Sequence, residues 1–373
     1  MFKQMIFATT FTSLILMPAM AMSGEKNWEK LVKAAKKEGK VEVLLGGQMP
    51  RKLRKIMPEF TKKYGIKVNY ITGSSRKNSA RILAERKAGK YTVDAWIGGA
   101  NTALTVLLPN KMLQPVDKLL VDPKVTDQSL WYKGKHHYTD PQGRYIFTWG
   151  ASPSYAIAVN TKLVKASEIN SYWDIINPKY KGKIVARSPA RRGNGATTVP
   201  MYLNDKIGPK WFKRWANEMD VTLVRDARQG AEWVAQGRYA IGMFGMGTPA
   251  LKLQQEGFPI AAYLPQVLKE GEILSASAAN LMAMDSAPNP NAMQLFINWA
   301  LSKEAQSIFI KTGETSDSLR TDVDSKLIAN QYRIKPDRKY YIPFSDKAYI
   351  TQQKKLLKKL RKIMKKARKK KKK

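Results

Sequence analysis

Strand and helix signals alternate along most of this chain, and two long β-prone runs interrupt the alternation. Residues 28–37 set Trp28, Leu31, Val32 and Ala35 at helical spacing and stop before Gly39. KVEVLL at 40–45 reads as a strand, and 53–64 is helical again through Leu53, Ile56, Met57 and Phe60. IKVNYI at 66–71 alternates as a second strand and runs into Thr72-Gly73-Ser74-Ser75, a cap sequence ahead of a helix at 79–87. A third strand at 93–97 ends in Gly98-Gly99-Ala100-Asn101. A second series follows at 182–186, 201–204, 209–219, 221–224, 231–236 and 239–244. Repeated strand–helix units imply a mainly parallel sheet with helices on both faces. The β-prone runs at 145–160 and 259–284 bracket the second series, as two crossings between lobes would.

The expectation is therefore an α/β protein of two lobes, each a mixed sheet flanked by helices. Residues 22–150 and 273–345 form lobe 1 in this reading, 151–272 form lobe 2, and 352–373 are a basic tail. Some 350 residues exceed what one hydrophobic core usually serves, which also favours two lobes. No internal repeat is visible.

The N-terminus has the layout of a cleaved export signal over residues 1–21. Lys3 lies in the first four residues, 5–17 are predominantly apolar, Pro18 breaks the run, and Ala19-Met20-Ala21 supplies small residues for a peptidase. The apolar run is shorter than the roughly 20 residues a membrane span needs. The mature chain is expected to begin near Met22 and to work in the periplasm. The chain has no cysteine, which rules out disulfides, thiolate metal sites and a lipid-anchored cysteine.

The net charge of +37 is unevenly spread. From Lys354 to the end there are 14 basic residues and no acid, and the remaining 52 basic residues still outnumber 29 acidic ones by 23. Such a surface attracts small anions, anionic lipid and nucleic acid alike, so charge by itself names no partner. In the tail, Leu356, Leu357, Leu360, Ile363, Met364 and Ala367 recur at helical spacing among lysines. It reads as a solvated, frayed segment able to make non-specific contact with an anionic surface.

An enzyme is not indicated. The two histidines, His136 and His137, sit side by side in a polar stretch that reads as an exposed hairpin. No spaced His/carboxylate set suggests a metal, and no G-x-S-x-G elbow presents a serine. Anion capture has better support. RSPARRGNGATT, from Arg187 to Thr198, follows a strand and precedes an element beginning near Val199. Asn194, Thr197 and Thr198 can cap that element, whose free N–H groups would face an anion beside the planar fork of Arg191 or Arg192. Ser74, Ser75, Gly99 and Asn101 lie in turns at the carboxyl edge of the first sheet, where open α/β folds place ligands, and Gln48 follows the first strand. Trp149 and Tyr155 lie near the first crossing, as core or as cleft lining.

WEKLVKAAKKEGKVEVLLG, VDAWIGGANT, SYAIAVNTKLV, WDIINPKYKGKI, VAQGRYAIGMFG and APNPNAMQLFINWALS together resemble the periplasmic solute-binding proteins of ABC importers. The resemblance runs from Trp28 to Val323 and is strongest to the iron(III)-type branch of the extracellular solute-binding proteins. It implies a type II periplasmic binding fold with the solute between the lobes. By the same resemblance, Asn194, Gly195 and Ala196 fall at anion-donor positions, and Gly247-Thr248 stands where iron-binding members carry a tyrosine pair. Hard Fe(III) requires anionic oxygen ligands that Gly-Thr lacks. The expectation is a monomeric receptor without cofactor or metal, delivering a small, anionic solute to an inner-membrane permease. Its candidate contacts are Gln48, Ser74, Ser75, Gly99, Asn101, Arg192, Asn194, Gly195, Ala196, Thr197, Gly247 and Thr248. The alternatives are a ferric-iron or iron-chelate binder of the same family, and an exported polyanion- or membrane-binding protein; no specific nucleic acid is expected.

Overall fold

Helix α1 (Ala19–Glu38) buries Leu31 and Ala35 in the first core, and Gly39 ends it with a φ of 70° while its N–H donates to the Ala35 carbonyl at 3.1 Å. Glycine enters that left-handed conformation without a Cβ penalty, which is why the helix stops there. The computed structural model to which it belongs describes residues 19–47, 52–154, 157–191, 194–262, 268–313 and 316–370. The first 18 residues of the expected export signal, together with Gln48, Tyr155 and Arg192, lie outside the described residues.

Strands β1 (Lys40–Gly46), β2 (Lys67–Gly73) and β3 (Ala95–Gly98) alternate with helices α2 (Met57–Tyr64) and α3 (Ser75–Lys87). β1 lies between β2 and β3, parallel to both, and the register sets Gly46 beside Gly73 and Gly98, so the three strands finish level. Trp96 explains part of this glycine content. A Cβ on Gly46 would come within 2.7 Å of its indole nitrogen. Strand β13 (Asn280–Met284) runs antiparallel to β3 and also pairs with β4 (Leu113–Gln114) and β5 (Phe147–Thr148).

A second sheet repeats this arrangement. Its order is β11 (Ile260–Ala261), β7 (Ile157–Asn160), β10 (Ile241–Met243), β8 (Ile184–Arg187), β9 (Thr222–Val224). β8 is flanked by parallel β9 and β10, and β7 runs antiparallel along the far side of β10. Both sheets are thus mixed, with a parallel core of three strands and an antiparallel crossing strand. Helices α4 (Gly195–Leu203), α5 (Gly208–Glu218), α6 (Ala227–Ala235) and α7 (Gly247–Gln255) accompany the second sheet. α4 begins four residues before the position expected from sequence, directly after Asn194.

A small third sheet joins the two. It contains β6 (Gly150–Ser154), β12 (Glu272–Ser275), β14 (Asp317–Ser318) and β15 (Tyr340–Tyr341). β5, β6 and β7 carry one run of chain through the first, third and second sheets in turn, and β11, β12 and β13 return it.

Each large sheet has its own core. In the first, Phe60 meets Phe296 and Trp299 edge-on at centroid distances of 5.4 and 5.2 Å, under helix α8 (Pro290–Ala300). In the second, Trp211, Phe212, Trp215 and Phe244 form one aromatic cluster. Each such ring buries a large apolar area and adds edge-to-face attraction beyond it.

The C-terminal segment is not a solvated tail. After helix α9 (Lys303–Gly313), Phe344 is seated in the first core, and the chain continues as helix α10 (Lys347–Lys370). Leu356, Leu357, Leu360 and Ala367 are buried in the second core, where α10 packs on α4 and α5. The helical spacing seen in the sequence therefore marks a seam with a partner, and the lysines occupy the opposite side.

His136 and His137 are likewise not on an exposed hairpin. His136 packs among Trp131, Tyr138 and Phe147, and its Nε2 lies 2.9 Å from the Val125 carbonyl. His137 is 2% exposed, with Nε2–H donating to the Tyr132 carbonyl at 2.8 Å and Phe344 against its ring. Local aromatics and Phe344, which comes from far along the chain, make this interior. Burial, with Lys135, His136 and Lys133 adding repulsion, lowers the His137 pKa from 6.5 to about 4. A base whose folded pKa lies below its unfolded value loses stability as pH falls from the unfolded value towards the folded one, here from 6.5 to 4. Wild-type protein should therefore lose roughly 3 kcal/mol through this group across that window. His137→Gln cannot titrate there. Urea unfolding at pH 7 and pH 4 should show the gap between wild type and variant narrowing by about that amount, and a constant gap would refute it.

Candidate functional site

The carboxyl ends of β2 and β3 leave two short turns on one edge of the first sheet. Ser74 occupies the N-cap of α3, where its hydroxyl accepts the Lys77 N–H at 3.3 Å. That hydroxyl is used in capping, while Ser75 faces a cavity of about 280 Å³. Gly99, Asn101, Ser275, Asn280 and Tyr349 line the same cavity. Asn280 is fixed there, donating to the Gly98 carbonyl at 3.0 Å and accepting from Thr148 at 2.9 Å. Asn101 Oδ1 is buried and has no hydrogen-bond partner, an orphan acceptor in this wall.

The turn after β8 approaches from the other sheet. A Cβ on Gly195 would lie 3.6 Å from Asn101 Nδ2 and 3.5 Å from Leu357 Cδ1, so the fold brings Asn101 and Gly195 together. Asn194 faces elsewhere: its Nδ2 donates to the Ser188 carbonyl at 3.0 Å, and it provides no side-chain cap to α4. Thr197 exchanges a hydrogen bond of 3.1 Å with Ser154 on crossing strand β6, and Thr198 donates to the Pro189 and Asn194 carbonyls. These groups hold the turn in shape. Ala196 contributes backbone to the first turn of α4. Trp149 is core, packed on Phe309.

A second cavity, of about 620 Å³, opens at the carboxyl edge of the second sheet. Arg187, Arg191, Arg225, Arg228, Thr248 and Lys252 line it. The strand register explains the gathering. Arg187 ends β8 opposite Val224 of β9, so Arg225 emerges beside it. Arg191 Nη1 donates to the Arg225 carbonyl at 2.9 Å. Gly245, at a φ of 87°, leaves space for Arg187, whose Nη1 would sit 2.6 Å from a Cβ there. Gly247 begins α7 beside Thr248, with no side chain capping the helix.

Two acids, Asp226 and Glu256, line the same cavity, and each is engaged locally. Asp226 caps α6, accepting from the Arg228 N–H at 2.7 Å. Glu232 pairs with Arg228 at 2.8 Å, and Glu256 with Lys252 at 3.7 Å. Among the described residues, Arg187 and Arg191 have no carboxylate partner. Arg187 is half-buried, and its Nε has no hydrogen-bond partner. Burial first, then the charge of Arg191, lower its pKa, with Asp226 opposing them. Two like charges held together, one of them partly desolvated, are an arrangement that a bound anion relieves.

Sequence reasoning reached Ser75, Gly99, Asn101 and Thr248, which line these cavities, and Gly195, which lies beside Asn101, but not Arg187, Arg225, Ser275, Asn280 or Tyr349. For the two arginines part of the signal was available: Arg187 ends one strand and Arg225 directly follows another, on the edge where the turns were sought. Among the described residues no three His, Asp or Glu side chains gather as metal ligands.

Two sheets with matching strand order, joined by crossing strands and facing each other through polar strand-end turns, define a two-lobed binding protein of the periplasmic type. The chain belongs to the bacterial extracellular solute-binding protein family, whose model matches residues 55–330. It is 25% identical over 297 residues to the spermidine/putrescine-binding periplasmic protein of Escherichia coli, covering 76% of this chain and 79% of that one. The periplasmic binding protein AfuA of Actinobacillus pleuropneumoniae, solved with fructose-6-phosphate, superposes with a TM-score of 0.62 at 20% identity, covering 88% of this chain and 99% of that one. The Trichodesmium protein IdiA (FutA), solved with iron and citrate, gives a TM-score of 0.64 at 20% identity, with the same coverage. The family and these neighbours are binding proteins of transporters, not enzymes. Such proteins bind a small solute and deliver it to a membrane ABC permease.

Proposed function

We propose that this chain is an exported receptor of an ABC importer and that its solute is an anion carrying carboxylate or phosphate groups. The observation that carries this reading is the Arg187–Arg191 pair, which shares one cavity without a carboxylate partner among the described residues. Arg225 and Thr248 add donors to the same cavity. Guanidinium forks suit planar carboxylate and phosphate oxygens, and charge-assisted bonds to them are stronger than neutral ones. In this reading the lobes are 22–150 with 273–345, and 151–272. The solute bridges Asn101, Ser75 and Gly99 on one side to the Gly195 turn and the arginines on the other. Closure of the lobes on the bound solute is the state the permease reads.

The polyamine named for the Escherichia coli relative is a cation, and a cavity lined by four arginines and a lysine against two acids opposes it. Fructose-6-phosphate and citrate, named for the solved neighbours, are both anions, and this site favours their chemistry. Iron would be carried already wrapped in such an anion, because Gly247 and Thr248 supply no anionic oxygen. The periplasm is the proposed compartment, following the export signal and the relatives.

Protein purified from its periplasmic fraction without denaturation should release a small anion, close to one per chain, when extracted and examined by mass spectrometry. A polyamine or a neutral solute released at that stoichiometry would overturn the reading.

A further inference from the structure

We propose that the outward side of α10 is a docking surface for an anionic lipid bilayer, separate from the solute site. Between Lys354 and Arg368 it carries nine lysines and arginines, all exposed. Among the described residues none of them is paired with a carboxylate. The helix is not free to roll or insert, because Leu356, Leu357 and Leu360 are buried in the second core. Its apolar side is thus consumed by the protein, and what remains is a rigid, purely basic face.

That combination selects the partner's chemistry. An amphipathic helix that enters a membrane keeps its apolar side available for the acyl boundary, and α10 has none to spare. A basic face with no apolar contribution binds by charge, within about one Debye length of the surface, and releases as salt rises. The family delivers solute to a membrane permease, so the extended polyanion facing such a receptor is the bilayer around that permease. Nucleic acid would satisfy the same charges but belongs to no step of solute delivery. Leu357, on the buried side of α10, would meet a Cβ on Gly195 at 3.5 Å, so the helix that carries the basic face also borders the Gly195 turn.

The test uses the mature full-length chain and sedimentation with lipid vesicles. At low salt it should bind vesicles containing phosphatidylglycerol at least tenfold more tightly than pure phosphatidylcholine vesicles, and rising salt should abolish the difference. A chain with Lys355, Lys359, Lys362 and Lys366→Glu should lose most of this binding, and the same four positions changed to Gln should fall between. Circular dichroism should report unchanged helix in both, since all four side chains are exposed. Equal binding to neutral vesicles, insensitivity to the four substitutions, or duplex DNA bound more tightly than the anionic vesicles would each overturn the proposal.

Discussion

A chain ending at Asp346 should fail to fold its second lobe. Such a truncation removes α10 and with it Leu356, Leu357 and Leu360, all buried against α4 and α5. Fully burying a leucine contributes about 1.5–3 kcal/mol, so the three together are comparable to much of a domain's net stability of roughly 5–15 kcal/mol. Removing the helix also removes the entropy cost of ordering it. The uncovered apolar surface of α4 and α5 nevertheless stays in the folded lobe, facing water. Low soluble yield and loss of cooperative thermal unfolding are the expected results. Leu360→Ala gives the same test in a milder form: with the side chain fully buried, the cost should be about 2–5 kcal/mol, or roughly 5–15 °C in melting temperature. A truncated chain that melts cooperatively at the wild-type temperature would show that α10 does not complete the lobe.

The sequence could have supported this result, yet its composition pointed the other way. Leu356, Leu357 and Leu360 were visible as a helical stripe, but a stripe does not say whether its partner is protein or lipid, and 14 basic residues suggested solvent. The histidine stretch misled for a related reason. Lys133, Lys135 and Asp140 surround His136 and His137 in sequence, whereas Trp131, Phe147 and Phe344 surround them in space. Elements with strong local signals were legible: the α1 stripe closed by Gly39, and β1 to β3 each ending in glycine. The turns at Ser75, Gly99 and Gly195 followed from the rule that ligands lie beyond strand carboxyl ends. That Arg187 and Arg225 gather in one site did not, because they are neighbours only through the parallel register of β8 and β9, which pairing fixes and spacing does not.

The second large effect is expected at Arg187. Its guanidinium is half-buried, lies against Gly245 and has an unpartnered Nε, so in the absence of solute the attraction of Asp226 is outweighed by burial and by the repulsion from Arg191. Replacing it by alanine removes the repulsion from Arg191 and the burial of a charge, both of which oppose folding. The solute-free variant should therefore melt at or slightly above the wild-type temperature. Affinity should move in the opposite direction. One or two charge-assisted bonds contribute about 1.5–3 kcal/mol each, so binding should weaken by roughly tenfold for one weak bond to about ten-thousandfold for two strong ones. Arg187→Lys keeps the charge without the planar fork and should lie between the two.

The decisive measurement is calorimetric titration of solute-free wild type and Arg187→Ala with the solute released from the native protein, alongside the melting temperature of each. The expected result is a loss of at least tenfold in affinity with no loss of stability. Equal affinities in two equally stable proteins would place the solute away from the arginine cavity and contradict anion capture there.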